Sequence, residues 1–215
     1  MYCPAHFREE RCDVLHELIR AHPLATLVSL NGDALQASHV PLMLHPDAGE
    51  HGVLRGHLAR GNAQWRDAST EIEALAMFQG PHAYISPSWY PTKQETGKVV
   101  PTWNYAVVHC RGALRVHDDA EWLAGHVAAL TMVHERDRAA PWAVEDAPGR
   151  YIETMVRGIV GIELEITAID GKWKLSQNRN AADYDGVVEG LSGMVRADDR
   201  ETAAIMRDLK ANAPA

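Results

Sequence analysis

The chain has 215 residues, 46% of them hydrophobic and 23% charged, with a formal net charge of −8. That length suits one good-sized core, and that composition is the composition of an ordinary globular protein, which excludes a disordered chain. The acidic balance argues against a broad surface for nucleic acid, because neutralising phosphates takes clustered Lys and Arg.

Cys3, Cys12 and Cys110 are odd in number and form no CxxC pair, a pattern that fits reduced thiols in the cytoplasm better than a disulfide or zinc framework. The start, MYCPAHFREER, reaches charged residues too soon for a signal peptide, and no apolar run approaches the ~20 residues that span a bilayer. The reading is a cytoplasmic protein without a membrane segment.

In chain order, HFREERCDVLHELIRAHP places Cys12, Leu15, Leu18 and Ile19 at helical spacing and stops at Pro23. LATLVSL and ALQASHVPLMLH read as strands joined at Asn31-Gly32, with Pro41 suited to a free edge or a bulge. GVLRGHLARGNAQW reads as a strand to about Leu58 that turns toward a helix near Asn62. His57, Arg60, Asn62, Gln64 and Trp65 gather there, where a cation and amides suit a phosphate. A solvated Arg60 with Asn62 as a helix cap explains the same residues equally well.

The apolar strand IEALAMFQG leads into GPHAYISPSWYPTKQETGKVVPTWNY, which concentrates Tyr84, Trp89, Tyr90, Trp103 and Tyr105 among Ser86, Ser88, Thr102 and Asn104. These are either the wall of a site for a flat, polar-edged ligand or aromatics that fill a core. Residues 99–116 form one long bent strand or two, with Gly112 as a bulge. DDAEWLAGHVAALTMVHERD is the clearest helix, opened by Asp118 and Glu121. A loop and shorter helix in APWAVEDAPGRYIETMV follow. GIVGIELEITAIDGKWKLS then alternates cleanly, and Asp170-Gly171 suggests a hairpin turn. Two modest helices close the chain. Six or seven strands joined mainly by hairpins, with helices at both ends and one inserted, make an α+β antiparallel barrel rather than a βαβ sheet.

Twelve histidines invite a metal, but His39, His57, His82 and His109 lie on separate segments without HExxH or paired Cys/His spacing. No GxSxG elbow, Walker loop or GxGxxG opening is present. His109 beside Cys110 makes a poor nucleophile pair, since neighbours on a strand face opposite ways. The remaining chemistry, a polar-aromatic groove with a phosphate receiver, suits a planar phosphorylated cofactor such as FMN.

GHLARGNAQW, FQGPHAYISPSWY, GKVVPTWNY and GKWKLSQNR, with WLAGHVAALTMVHE between the last two, resemble the PaiB family of FMN-binding negative transcriptional regulators. The resemblance runs from HFREE to about Leu191. It implies an FMN-binding split β-barrel with flanking helices, and the chain reads as a single domain over residues 1–190 with a peripheral helical tail over 191–215 that the resemblance does not cover. It also implies a homodimer with FMN at the subunit interface. By position it puts Ser38, His39, His57, Arg60, Asn62, Gln64 and Trp65 near the cofactor. Ser86, Ser88, Trp89, Trp103 and Asn104 come from the aromatic stretch, and Lys174, Gln177 and Arg179 from the KLSQNR block.

The family name implies repression of degradative-enzyme and sporulation genes. The charge, and the lack of a helix-turn-helix or basic strip, give DNA no physical handhold, so regulation through flavin state or a partner is the expectation. An FMN-dependent oxidoreductase of the pyridoxamine-phosphate-oxidase-like class is the alternative, and a haem-binding or haem-degrading split barrel a minor one. No catalytic acid, base or nucleophile stands out, and no metal ligands are assigned.

Overall fold

The computed structural model describes residues 1–69 and 71–212. The strands are β1 (Arg8–Glu9), β2 (Leu24–Asn31), β3 (Ala34–Pro41), β4 (Met43–His45), β5 (Val53–Ala59), β6 (Ala74–Ile85), β7 (Thr102–Gly112), β8 (Leu114–His117), β9 (Ile159–Glu165) and β10 (Ala168–Lys174). The helices are α1 (Cys12–Ala21), α2 (Gln64–Asp67), α3 (Thr92–Thr96), α4 (Ala120–Glu135), α5 (Gly149–Arg157), α6 (Ala181–Ser192) and α7 (Ala197–Ala211). The chain divides into two compact units. One comprises Met1–Leu18, Gln79–Val108 and Asp170–Ala215, and the other Ile19–Phe78 and His109–Ile169.

The second unit holds an antiparallel sheet in the order β4-β5-β9-β8 and a ladder in which β2 lies between β3 and residues 74–78 of β6. Alternation sets the inward faces. Ala25 and Leu27 of β2, Leu54 and Leu58 of β5, and Val160, Ile162 and Leu164 of β9 are buried. The β2–β3 hairpin forms, but its two loop residues are Gly32 and Asp33, because Asn31 still pairs with Ala34. Gly32 takes the left-handed φ of +58° that the tight turn demands. Asn31 is held in the strand because its side chain is buried and donates to the Gln64 carbonyl at 2.8 Å.

Two further expectations shift. The cap of α4 is Asp119, whose carboxylate accepts from Trp122 N at 2.7 Å, while Asp118 is engaged by Arg60. Asp170-Gly171 is no turn, since both residues lie inside β10, and Gly171 pairs with Glu9 of β1. A Cβ on Gly171 would stand 2.2 Å from Leu15 Cδ2 and 2.7 Å from the Glu9 carbonyl, so this glycine serves close approach rather than a bend. Gly112 is similar, with β7 ending there against the Glu165 backbone.

The first unit orders its strands β1-β10-β7-β6, using residues 102–108 of β7 and 79–85 of β6. Helices α6 and α7 bury Val187, Leu191, Ala203 and Met206 completely. The Tyr184 hydroxyl donates to the Met206 carbonyl at 2.7 Å and ties the two helices together.

Candidate functional site

In the second unit, β3 and β5 bring Ser38, His39 and His57 to one groove of about 540 Å³, and the loop after β5 adds Asn62. Asn62 Nδ2 donates to Ser38 Oγ at 2.9 Å, and its Oδ1 accepts from Gln64 N at 2.9 Å. Gln64 fixes that loop. It is fully buried, and its Nε2 donates to the Leu27 carbonyl (3.1 Å), Ser29 Oγ (3.0 Å) and the Gln36 carbonyl (3.3 Å), bolting α2 onto the β2–β3 hairpin. Such buried polar bonds are costly to break, so Gln64 positions the groove while Ser38, His39, His57 and Asn62 line it.

Arg60 sits beside this groove with its guanidinium engaged. It donates to both Asp118 oxygens (2.9 and 2.5 Å), to the Arg157 carbonyl (2.7 Å) and to the Ile159 carbonyl (3.0 Å). The Arg60 hydrogen bond holds the Asp118 carboxyl below its ordinary range. Trp65 packs back on the same loop, its indole N–H donating to the Arg60 carbonyl at 3.1 Å.

Sequence reasoning passed over what lies behind His57. Its Nδ1 is 3.3 Å from Nε2 of His126 on α4, a buried residue whose Nδ1 has no partner. Trp122, one turn earlier, stacks on His117 (4.3 Å, 3° between planes) and lies 5.4 Å from the His126 ring. His45, Arg55, Trp122 and His126 line a second cavity of about 410 Å³. Burial pushes the His57 imidazole down, and burial followed by the proximity of His57, His45 and Arg55 pushes His126 to about 4. Both rings are therefore neutral near pH 7. The only sequence signal was the i,i+4 spacing of Trp122 and His126; nothing local links His126 to His57.

The remaining candidates belong to the first unit. Asn104, Lys174 and Arg179 line a cavity of about 120 Å³ with Thr102 and Ser176. Gln177 is a local brace, its amide donating to the Trp173 carbonyl at 2.5 Å and its Oε1 accepting from Leu175 N at 2.7 Å. Ser86 and Ser88 bond each other at 2.7 Å in the turn after β6. Trp89 packs on glycines of α6. Trp103 is about half exposed, with His82 and Tyr84 each 6.0 Å away between ring centres. Among the described residues no group of three or more His, Cys, Asp or Glu is arranged to hold a metal ion. No helix among them is long and apolar enough to cross a membrane.

Residues 1–168 match the family described as "Putative FMN-binding domain". The chain belongs to that family. FMN is accordingly its cofactor. Over 97% of both chains it is 33% identical to "Protease synthase and sporulation protein PAI 2" of Bacillus subtilis, as the PaiB resemblance anticipated. It is 34% identical, over 97% of both chains, to the uncharacterized protein AN0679 of Emericella nidulans. Two solved structures share the fold. The FAD and heme binding protein from Mycobacterium smegmatis superposes with a TM-score of 0.59 at 16% identity, covering 83% of this chain and 78% of the other. The flavocytochrome Anf3 from Azotobacter vinelandii does so at 0.56 and 11%, covering 83% and 75%. The fold is the α+β split barrel with added helices expected from the sequence.

Proposed function

We propose that the groove lined by Ser38, His39, His57 and Asn62 holds FMN, and that the protein is a homodimeric, flavin-responsive regulator which acts without a DNA-binding surface of its own. The observation that carries this reading is the convergence of four residues, from β3, β5 and the loop that follows β5, on one groove of about 540 Å³. That volume lies within the ~300–1,000 Å³ usual for cofactor sites. The groove offers a hydroxyl, an amide and neutral imidazole, which match the hydrogen-bonding edge of a flavin ring. The flavin would supply one- and two-electron redox chemistry, and the side chains would orient it. The regulatory role draws on the sporulation protein of Bacillus subtilis, and the net charge of −8 supports an indirect route to the genes it controls.

A second reading, an FMN-dependent oxidoreductase, is favoured by one observation. His57 is a neutral, groove-lining imidazole backed by a second imidazole, which equips it to take or give a proton beside a flavin. Cycling of bound flavin with turnover of NAD(P)H would favour this reading over the regulator.

The purified chain should retain flavin absorption through gel filtration after exposure to FMN. Asn62→Asp places a negative charge in the groove and should weaken FMN at least tenfold, about 1.4 kcal/mol, as read by quenching of flavin fluorescence. No retained flavin, or equal affinity in the variant, would sink the groove assignment. Arg60 bears separately on the phosphate. Asp118→Asn frees the guanidinium from its carboxylate, and FMN should then tighten severalfold while riboflavin, lacking the phosphate, stays unchanged. Parallel changes for both ligands would remove Arg60 from phosphate binding and leave it a clamp on the loop.

A further inference from the structure

In the first unit three cations gather, and no carboxylate among the described residues pairs with them. Lys172 donates from Nζ to the Tyr2 carbonyl at 3.1 Å and lies over the rings of Tyr2 (5.7 Å) and Tyr105 (5.4 Å). Lys174 donates to Thr102 Oγ1 at 2.7 Å and to the Trp103 carbonyl, with the Tyr105 ring 5.9 Å away. The Arg179 guanidinium lies 4.8 Å from the centre of the Tyr90 ring. These partners are carbonyls, hydroxyls and ring faces, and among the described residues none of the three cations stands in an ion pair with a carboxylate.

That is an unusual arrangement in a chain whose 29 acidic residues outnumber its 21 Lys and Arg. Gathering like charges in a partly buried place is unfavourable unless something offsets them. Burial, and then the charges of Lys172 and Arg179, push the Lys174 ammonium below its ordinary range, and no neighbouring anion pulls it back.

The cluster faces a cavity. Lys174 and Arg179 line about 120 Å³ together with Thr102, Asn104 and Ser176, room for a single small polyatomic group. The wall behind it is built and buried. Asn104 is fully buried, its Nδ2 donating to Ser176 Oγ at 3.0 Å while that hydroxyl donates back to Asn104 Oδ1 at 3.2 Å. Ser176 holds a φ of +67°, and among the described residues it is the non-glycine residue in the left-handed region. A serine kept in that strained conformation beside a cation cluster is what a preorganised site looks like. Lys174 and Arg179 fall beyond residues 1–168, although the resemblance already places both near the cofactor.

We propose that this cavity binds a small oxyanion, a phosphate or carboxylate group, gripped by Lys174 and Arg179 with the Thr102 hydroxyl beside them. The anion would supply the missing counter-charge and accept the donors that now turn to carbonyls and rings. It belongs either to the phosphate of FMN or to a separate anionic ligand, and the experiment separates the two.

The purified full chain is titrated with inorganic phosphate by calorimetry at fixed ionic strength, with chloride as the control. Saturable heat with phosphate and none with chloride is expected, and Lys174→Met should weaken it at least tenfold. Arg179→Gln provides a second variant should the first fail to fold. Phosphate that binds no better than chloride, or equally well in a folded variant, overturns the site. If phosphate competes with FMN but not with riboflavin, the occupant is the cofactor's phosphate. Undiminished binding in the presence of FMN identifies a separate anion site. Should phosphate bind while no flavin does, the groove assignment fails and the oxyanion site stands.

Discussion

Between pH 6.5 and pH 4 the protein should lose about 3 kcal/mol of folding stability through His126 alone, as its native pKa of about 4 lies well below the ordinary histidine value of 6.5. The sign follows from proton counting. Above pH 6.5 neither the folded nor the unfolded chain protonates this ring. Between the two values the unfolded chain binds a proton that the folded one resists, so unfolding is favoured progressively as the pH falls. Below about 4 both are protonated and the loss is complete. Geometry explains the resistance. His126 is 5% exposed, and its neighbours His57, His45 and Arg55 are all groups that carry or acquire positive charge. The nearby Glu163 is already bonded to Arg55 at 2.8 Å, while Asp119 and Glu121 line the same cavity.

Urea unfolding at a series of pH values measures the effect, and its upper half, from pH 6.5 to 5, precedes the ordinary titration of carboxylates. His126→Gln can still hydrogen-bond His57 and cannot charge. It should flatten the acid limb by about 3 kcal/mol, leaving only the smaller contribution of His57, whose imidazole is displaced in the same direction. Curves that run parallel in the two proteins would show that His126 is not the group responsible.

The histidine pair also marks where sequence reading stops. Strands were legible because their burial alternates along the chain, as in β2, where every second residue from Ala25 is buried. The helix α4 was legible from its cap and apolar positions, off by one residue at its start because Asp118 and Asp119 are chemically equal candidates and only Arg60 distinguishes them. Gly171 was misread as a turn because Asp-Gly carries that local preference, whereas its real constraint comes from Leu15 and Glu9, far away in sequence. His57 and Asn62 stand out from the local residue types and Ser38 and His39 join them through family resemblance, and the four line one groove. Gln64 was named with them, and its amide nitrogen donates to Leu27, Ser29 and Gln36, contacts that no local pattern announces, while its buried Oε1 has no partner.

Trp89 poses the same question in the aromatic stretch, and α6 answers it: Gly186→Ala should destabilise the protein by about 2–3 kcal/mol, the upper part of the ~1–3 kcal/mol range for forcing extra volume into a packed contact. In an exposed helix the same change normally stabilises by ~1 kcal/mol through propensity. Here the sign reverses, since a Cβ on Gly186 would stand 2.1 Å from the Trp89 carbonyl oxygen, a backbone atom that cannot rotate away. Gly190→Ala meets the Trp89 ring at 2.4–2.6 Å instead, and a side chain that is only partly buried can tilt, so its cost should be smaller. Gly125→Ala in α4 is the control, for nothing lies within 4 Å of its Cβ position, and it should stabilise by roughly 0.5–1 kcal/mol. Chemical denaturation of the three variants ranks them. If Gly186→Ala matched Gly125→Ala, the helix would not be seated on Trp89. The ranking expected here makes Trp89 a packing residue that anchors α6, and leaves the half-exposed Trp103, with Tyr84 and His82 beside it, as the aromatic of this stretch that is free to meet a ligand.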